Sequence, residues 1–430
     1  MSEKRHRHEQ RRRRRKARSG TRQEPARAAA REIAGRLGRI AETSAHGAHQ
    51  LVDALDAEQW ASYLIGTMYD RAMPGVDVEA VLVPRFVDVL ERLGAPGALA
   101  TLRALGAVTR PEHAGLAHAA ADRLAAAGAP EPAWAGDVGR ARPTSAVLIG
   151  EDAFDDGAGV LVEFTASGAP THTLAVYIDH NLGGLAKHVL LAGPVASIRA
   201  DAERETEGAG GMAVRDLDLG EARARIEWAL EALDETYDPP VSEDVRPMRA
   251  LVEARLRALP AGFRMPAEEV PPGPAEREAL LADFLASPEG ERWRSDDDAA
   301  DVVELAIDFG SDYNHGGPLR WSPVVVDIFM TGWLPRKVLD ERAFFERVAV
   351  VLPDWIRYAG RRRGVPERLV RDAVANVATC RDPMLEAVDD PSGWSAAKAF
   401  ANAAVDAGVD LSDPDQLARF AEQYDDGLAA

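Results

Sequence analysis

The chain has 430 residues, 46% apolar and 28% charged, a globular balance in which aromatics at 6% leave the cores largely to Ala, Leu and Val. Its single cysteine excludes an intrachain disulfide framework and any multi-cysteine zinc or iron–sulfur centre, and no apolar run reaches the roughly 18 residues of a transmembrane helix. The formal charge of −19 divides into two opposite parts: residues 1–39 carry 15 Lys/Arg against 4 Asp/Glu, a net of +11, which leaves −30 on the remainder.

Residues 1–25 read as a disordered basic tail. The run Arg11, Arg12, Arg13, Arg14, Arg15 and Lys16 sits among polar residues and has no apolar neighbours to bury. No apolar stretch follows it, so it does not read as a secretory signal, and a cytoplasmic, reducing location is expected. From about 26 to 128 the pattern is helical, within a helical domain over 26–140. Asp56 with Gln59, and Thr109 with Glu112, have the spacing of capping boxes, and Trp60, Leu64, Ile65 and Met68 follow at helical intervals. Gly94, Gly106 and Gly128 fall where helices are expected to stop. Short Ala/Leu-rich helices joined by tight turns predict an antiparallel helical array.

The period changes after a Pro/Gly-rich linker at about 129–144. Val160, Val162 and Phe164, then Leu174, Val176 and Ile178, alternate with their neighbours in steps of two. This predicts a β-hairpin over 159–179 with those six side chains buried, at one edge of a small antiparallel sheet. Ser145–Ile149 reads as a third strand, and Ala196–Asp201 fits either strand or helix. Asp218 with Glu221 opens a helix, another covers 244–258, and together these make a small α+β domain over 141–262. The four prolines of 265–274 mark a linker. Helical patterns then recur over 276–286, 299–309, 322–331, 340–359, 366–379 and 395–407, with a last helix beginning at Ser412 and Asp415, forming a C-terminal helical domain over 275–430. The fold class is α+β and predominantly helical.

Two polar clusters stand out. Asp179-His180-Asn181-Leu182-Gly183-Gly184, followed by Lys187 and His188, lies at the end of a predicted strand, where scaffolds display functional side chains. Asp and His serve as acid/base groups or metal ligands, and a helix over 184–191 would turn His188 towards the pocket of His180. The same residues also suit a structural turn, with Asp179 capping, Asn181 left-handed and the glycines making the bend. The second cluster is Asp308, Asp312, Asn314 and His315 before Gly316-Gly317-Pro318. Asp312 and His315 are candidate ligands for a divalent cation, although the spacing matches no EF-hand, and a helix C-terminal loop needs Gly and Asn in any case. The acidic runs at 151–156 and 296–301 read as solvated faces or helix starts. Cys380 falls inside a helix and reads as an inert buried thiol. The aromatic residues from Trp321 to Tyr358 read as core, and Arg361-Arg362-Arg363 as a helix C-terminus complementing the dipole.

The segment Asp179-His180-Asn181-Leu182-Gly183-Gly184-Leu185-Ala186-Lys187, together with Trp333-Leu334-Pro335-Arg336-Lys337-Val338 and the following helix through Trp355, resembles an uncharacterised protein family of GC-rich bacteria. The resemblance covers most of 50–430, leaves out the tail and implies no catalytic role, because the family has no established activity. Two functions fit the residues. One is a cytoplasmic interaction or scaffold protein whose basic tail, through Arg11–Lys16, binds nucleic acid or another polyanion non-specifically, or contacts a protein partner or its own acidic body. The alternative is a metal-dependent hydrolase using Asp179, His180 and His188, joined by Asp312 and His315. No cofactor beyond that divalent metal, and no membrane partner, is implied.

Overall fold

The computed structural model describes residues 35–69, 77–150, 153–209, 213–267 and 270–428; the Arg11–Lys16 run lies outside the described residues. A first group of helices comprises α1 (35–47), α2 (Ala54–Tyr69), α3 (Val78–Leu93), α4 (Pro96–Val108) and α5 (Pro111–Ala126). Local chemistry sets several of their ends. Asp77 caps α3 by accepting from the Ala80 amide, and Gly94 ends it in the left-handed conformation at φ 57°. Two expected caps move. At α2 it is Asp53, not Asp56, that accepts the amide, donated by Asp56 itself. α5 starts on Pro111 with no side-chain cap, while the Thr109 hydroxyl donates back to the Leu105 carbonyl. Gly106 ends nothing: it lies inside α4, where the His118 imidazole packs against its Cα.

Five strands follow in an antiparallel sheet of order β4-β3-β2-β1-β5: β1 (Arg142–Ile149), β2 (Gly157–Ala166), β3 (Ala169–Asp179), β4 (Leu185–Ala192) and β5 (Val214–Leu217). The 159–179 hairpin forms as expected, in register Val160↔Val176 and Val162↔Leu174, and all six anticipated side chains are buried. Its position is corrected from edge to centre, because β4 pairs along β3 and β1 along β2. Residues 185–192 are strand, not helix. Leu, Ala and Lys favour helix locally, and the pairing along β3 that buries Leu185, Ala186 and Val189 overrides that preference. The ambiguous 196–201 stretch is helical, within α6 (Val195–Ala209). α6 covers one face through Val195 and Ile198 against Val147 and Leu161. The other face is covered by α7 (Leu219–Glu235), capped by Asp218 as expected, and α8 (Val245–Arg257).

A single hydrophobic cluster runs from Leu37 to Leu259, through the helices and into the sheet. A second holds Phe154 and residues from Phe284 to Val388. It is built on α9 (Pro274–Ala286), α10 (Asp297–Asp312), α11 (Pro323–Asp327), a π-helical turn Ile328–Trp333, α12 (Leu334–Lys337), α13 (Arg342–Arg363) and α14 (Glu367–Asp389), with α15 (Ala396–Asp406) and α16 (Pro414–Leu428) beyond. Pro335 has no amide hydrogen for the Thr331 carbonyl, and the helix widens into the π turn just before it. Trp321, Phe329, Phe345, Trp355 and Tyr358 are core, with Trp333 and Phe344 packed beside them. Arg361 and Arg362 end α13 paired with Glu289 and Asp283. Cys380 is buried, and burial together with the Asp327 carboxylate pushes its thiol up to about 11, so it carries no thiolate at neutral pH. Among the described residues no helix is long and apolar enough to cross a membrane.

The first cluster encloses a polar network that the sequence pattern gives no sign of. Glu58 on α2 and Arg255 on α8 form an ion pair with side chains 3% and 4% exposed. Glu58 also accepts the Gly139 amide. Arg255 donates from Nε and Nη2 to the His172 imidazole at 3.3 and 3.2 Å and lies over the Phe164 ring. The His172 Nδ1–H faces the Pro170 carbonyl at 3.1 Å. Burial, then the Arg255 charge, hold His172 below its ordinary pKa, so it is the neutral acceptor this arrangement needs.

Candidate functional site

The two polar clusters found in the sequence meet in space. β3 ends at Asp179, and the chain turns through a 3-10 segment, His180–Leu182. The Asp179 carboxylate accepts the Asn181 amide at 3.0 Å and, on its other oxygen, the Lys187 ammonium at 2.7 Å. Lys187 stands at the irregularity in the β3–β4 register between Tyr177 and Ile178. Gly183 and Gly184 take φ of 80° and 73°. A Cβ on Gly184 would lie 2.0 Å from Trp228 Cζ3 on α7, whereas one on Gly183 would lie 3.4 Å from His315 Nε2. Gly184→Ala is therefore expected to cost about 2 kcal/mol, combining left-handed strain with displacement of an indole. Gly183→Ala should cost less, about 1 kcal/mol. Thermal unfolding of the two variants checks the order, and equal losses would mean that Trp228 moves freely.

The second cluster closes the junction. Asn314, just past α10, donates to the Gly317 and Arg320 carbonyls and turns its Oδ1 to Arg320 Nη2 at 2.6 Å. Arg320, 1% exposed, is the hub. Its Nη2 also donates to Asn181 Oδ1 at 2.6 Å. Its Nη1 donates to the carbonyls of Phe154 and Asp155 at 3.3 and 3.1 Å and to Asp156 Oδ1 at 3.0 Å. Asp156 Oδ1 further accepts from Ser322 Oγ at 2.7 Å and Asn181 Nδ2 at 3.1 Å. The planar five-donor fork of arginine suits this divergent set of oxygens, and lysine could not span it.

His180 Nδ1 lies 2.8 Å from Asp155 Oδ1 and 3.1 Å from the Asp155 carbonyl. Burial works against the imidazolium and Asp155 outweighs it, so His180 is held above its ordinary pKa. Asp155, whose side chain is half exposed, is held below the usual carboxylate range by His180, Arg320 and Arg363, against the partial desolvation of its site.

The remaining candidates lie apart from this network. His188 is exposed on β4 beside Tyr177, with ring centroids 6.0 Å apart. As a strand residue it does not make the one-turn return towards His180 that a helix would allow. Asp312, with Asp308, is held by Arg277 from α9. Among the described residues no group of three or more His, Cys, Asp or Glu is arranged to hold a metal ion. Sequence reasoning missed Arg320 and Ser322 and read the 151–156 acidic run as a solvated face or a helix start; Asp155 is exposed, as a solvated face requires, whereas Asp156 turns inward to Arg320. Arginine is common throughout this chain, and nothing local marks this one as buried.

Comparison with known protein families, with curated proteins and with solved structures finds no match for this chain.

Proposed function

We propose that this chain is a cytoplasmic interaction scaffold whose cationic N-terminal segment engages nucleic acid or a comparable polyanion without sequence preference. The observation that carries this reading is the segregation of charge, +11 in residues 1–39 against −30 elsewhere. The polar junction supports it from the other side. Asp179, Asn181, Asp156 and Asn314 spend their hydrogen-bonding capacity on Lys187, Arg320 and backbone groups, as residues that hold a scaffold together do. No aromatic residue interleaves the basic run, so base stacking contributes nothing and phosphate attraction dominates.

Fluorescence anisotropy with labelled single-stranded DNA and RNA is expected to show comparable binding to both at about 50 mM salt, mostly lost by about 200 mM, and abolished by deleting residues 1–25. Binding that survives both high salt and the deletion would place the interaction on the acidic body instead and overturn the proposal.

A further inference from the structure

Residues 153–156, leading into β2, reach into the second apolar cluster: Phe154 is buried among its side chains, and the Phe154 and Asp155 carbonyls and the Asp156 carboxylate accept from Arg320. To do this, Asp155 adopts φ 57°, a left-handed conformation that Asp and Asn tolerate better than other residues with a Cβ and that local hydrogen bonds select. The group that grips Asp155 from the sheet side is His180, through both the carboxylate and the carbonyl, while the His180 amide donates to the Asp156 carbonyl at 3.1 Å.

We propose that residues 153–156 are a proton-linked latch between the two bodies, in which imidazolium His180 holds Asp155 by a charge-assisted contact in the turn that presents this segment to Arg320, and neutral His180, left with an uncharged Nδ1–H hydrogen bond, holds it less tightly. The charged groups around His180 set the sign. Asp155 favours the imidazolium from the loop, whereas the Asp156 carboxylate is paired with Arg320 and Asp179, at the strand end, with Lys187. Arg320 opposes the imidazolium from the α10–α11 connection. Arg363, at the end of α13, acts on Asp155 and Arg320. His315 lies against Gly183 on the far side of the turn. The direct carboxylate contact at 2.8 Å prevails over the arginine, whose guanidinium is already shared among five oxygens. The latch is therefore tight at mildly acidic pH and loosens as pH rises through the imidazole range.

Hydrogen exchange on the full-length chain, corrected for intrinsic rates, tests this. Protection of the amides of 153–157 and 314–322, taken relative to the amides of α4, which carry the pH response of the first cluster, is expected to fall several-fold between about pH 5.5 and about pH 8. His180→Gln, which keeps a donor without the charge, and Asp155→Asn, which tolerates the left-handed turn without the charge, should each make that protection independent of pH. The second variant decides the matter if the first does not fold. A wild-type chain whose latch amides track those of α4, or a folded variant that retains the pH dependence, overturns the proposal.

Discussion

Arg320→Ala is expected to lower the free energy of unfolding by about 3–5 kcal/mol, the range for removing one partner of a buried charged pair. The arithmetic follows from what stays behind. Asp156 loses its charged donor, and Asn181, Asn314 and the Phe154 and Asp155 carbonyls lose a hydrogen bond each inside a packed junction. Arg320→Lys should recover only part of the loss, because a single ammonium cannot reach oxygens on both sides of the fork. Urea titration followed by circular dichroism measures both variants. A loss under about 1 kcal/mol for the alanine variant would mean that water replaces the guanidinium and that the junction is not a dry one.

Glu58→Ala is expected to cost a similar amount, about 3–5 kcal/mol, because it strands the Arg255 guanidinium in the first cluster beside a neutral imidazole that offers no charge in return. The double variant Glu58→Leu with Arg255→Met should lie closer to the wild type than Glu58→Ala does, since it removes both charges and fills the space with apolar atoms. If the double variant is the weaker one, the network contributes specificity that hydrophobic volume cannot replace. The same network has a defined pH response. The folded state keeps His172 neutral, so below about pH 6.5 the unfolded chain takes up a proton that the native imidazole refuses, and stability falls on the acid side. His180 responds in the opposite sense. Its native pKa is raised, so its contribution is present below about pH 6.5 and is lost as pH rises through the native value. Two histidines on one sheet strand and its exit turn thus tune stability in opposite directions, and His172→Gln and His180→Gln should separate the two slopes in pH-dependent melting curves.

The sequence by itself determined the elements whose cause is local. Alternation of Val160, Val162 and Phe164 with their neighbours made the central hairpin and named its buried face, because the side-chain period of a strand is two and one face had to leave water. Asp218 announced the start of α7, and the aromatics of α13 announced a core that an Ala-rich bundle needs for volume. The Asp179 turn was also legible as a turn, since Asp caps and paired glycines act within a few residues. Only the tertiary structure decided what that turn is for. The partners of Asn181 and Asp156 come from Arg320, more than 130 residues away in the chain. Glu58 meets Arg255 across 197 positions. Burial of a charge is a property of what folds around it, and one arginine among 46 carries no local sign of it. The place of the hairpin in the sheet was hidden for the same reason: β4 is rich in helix-favouring Leu and Ala, β5 is only four residues long, and both are recruited by the edges that β3 and β1 expose rather than by a pattern strong enough to declare itself.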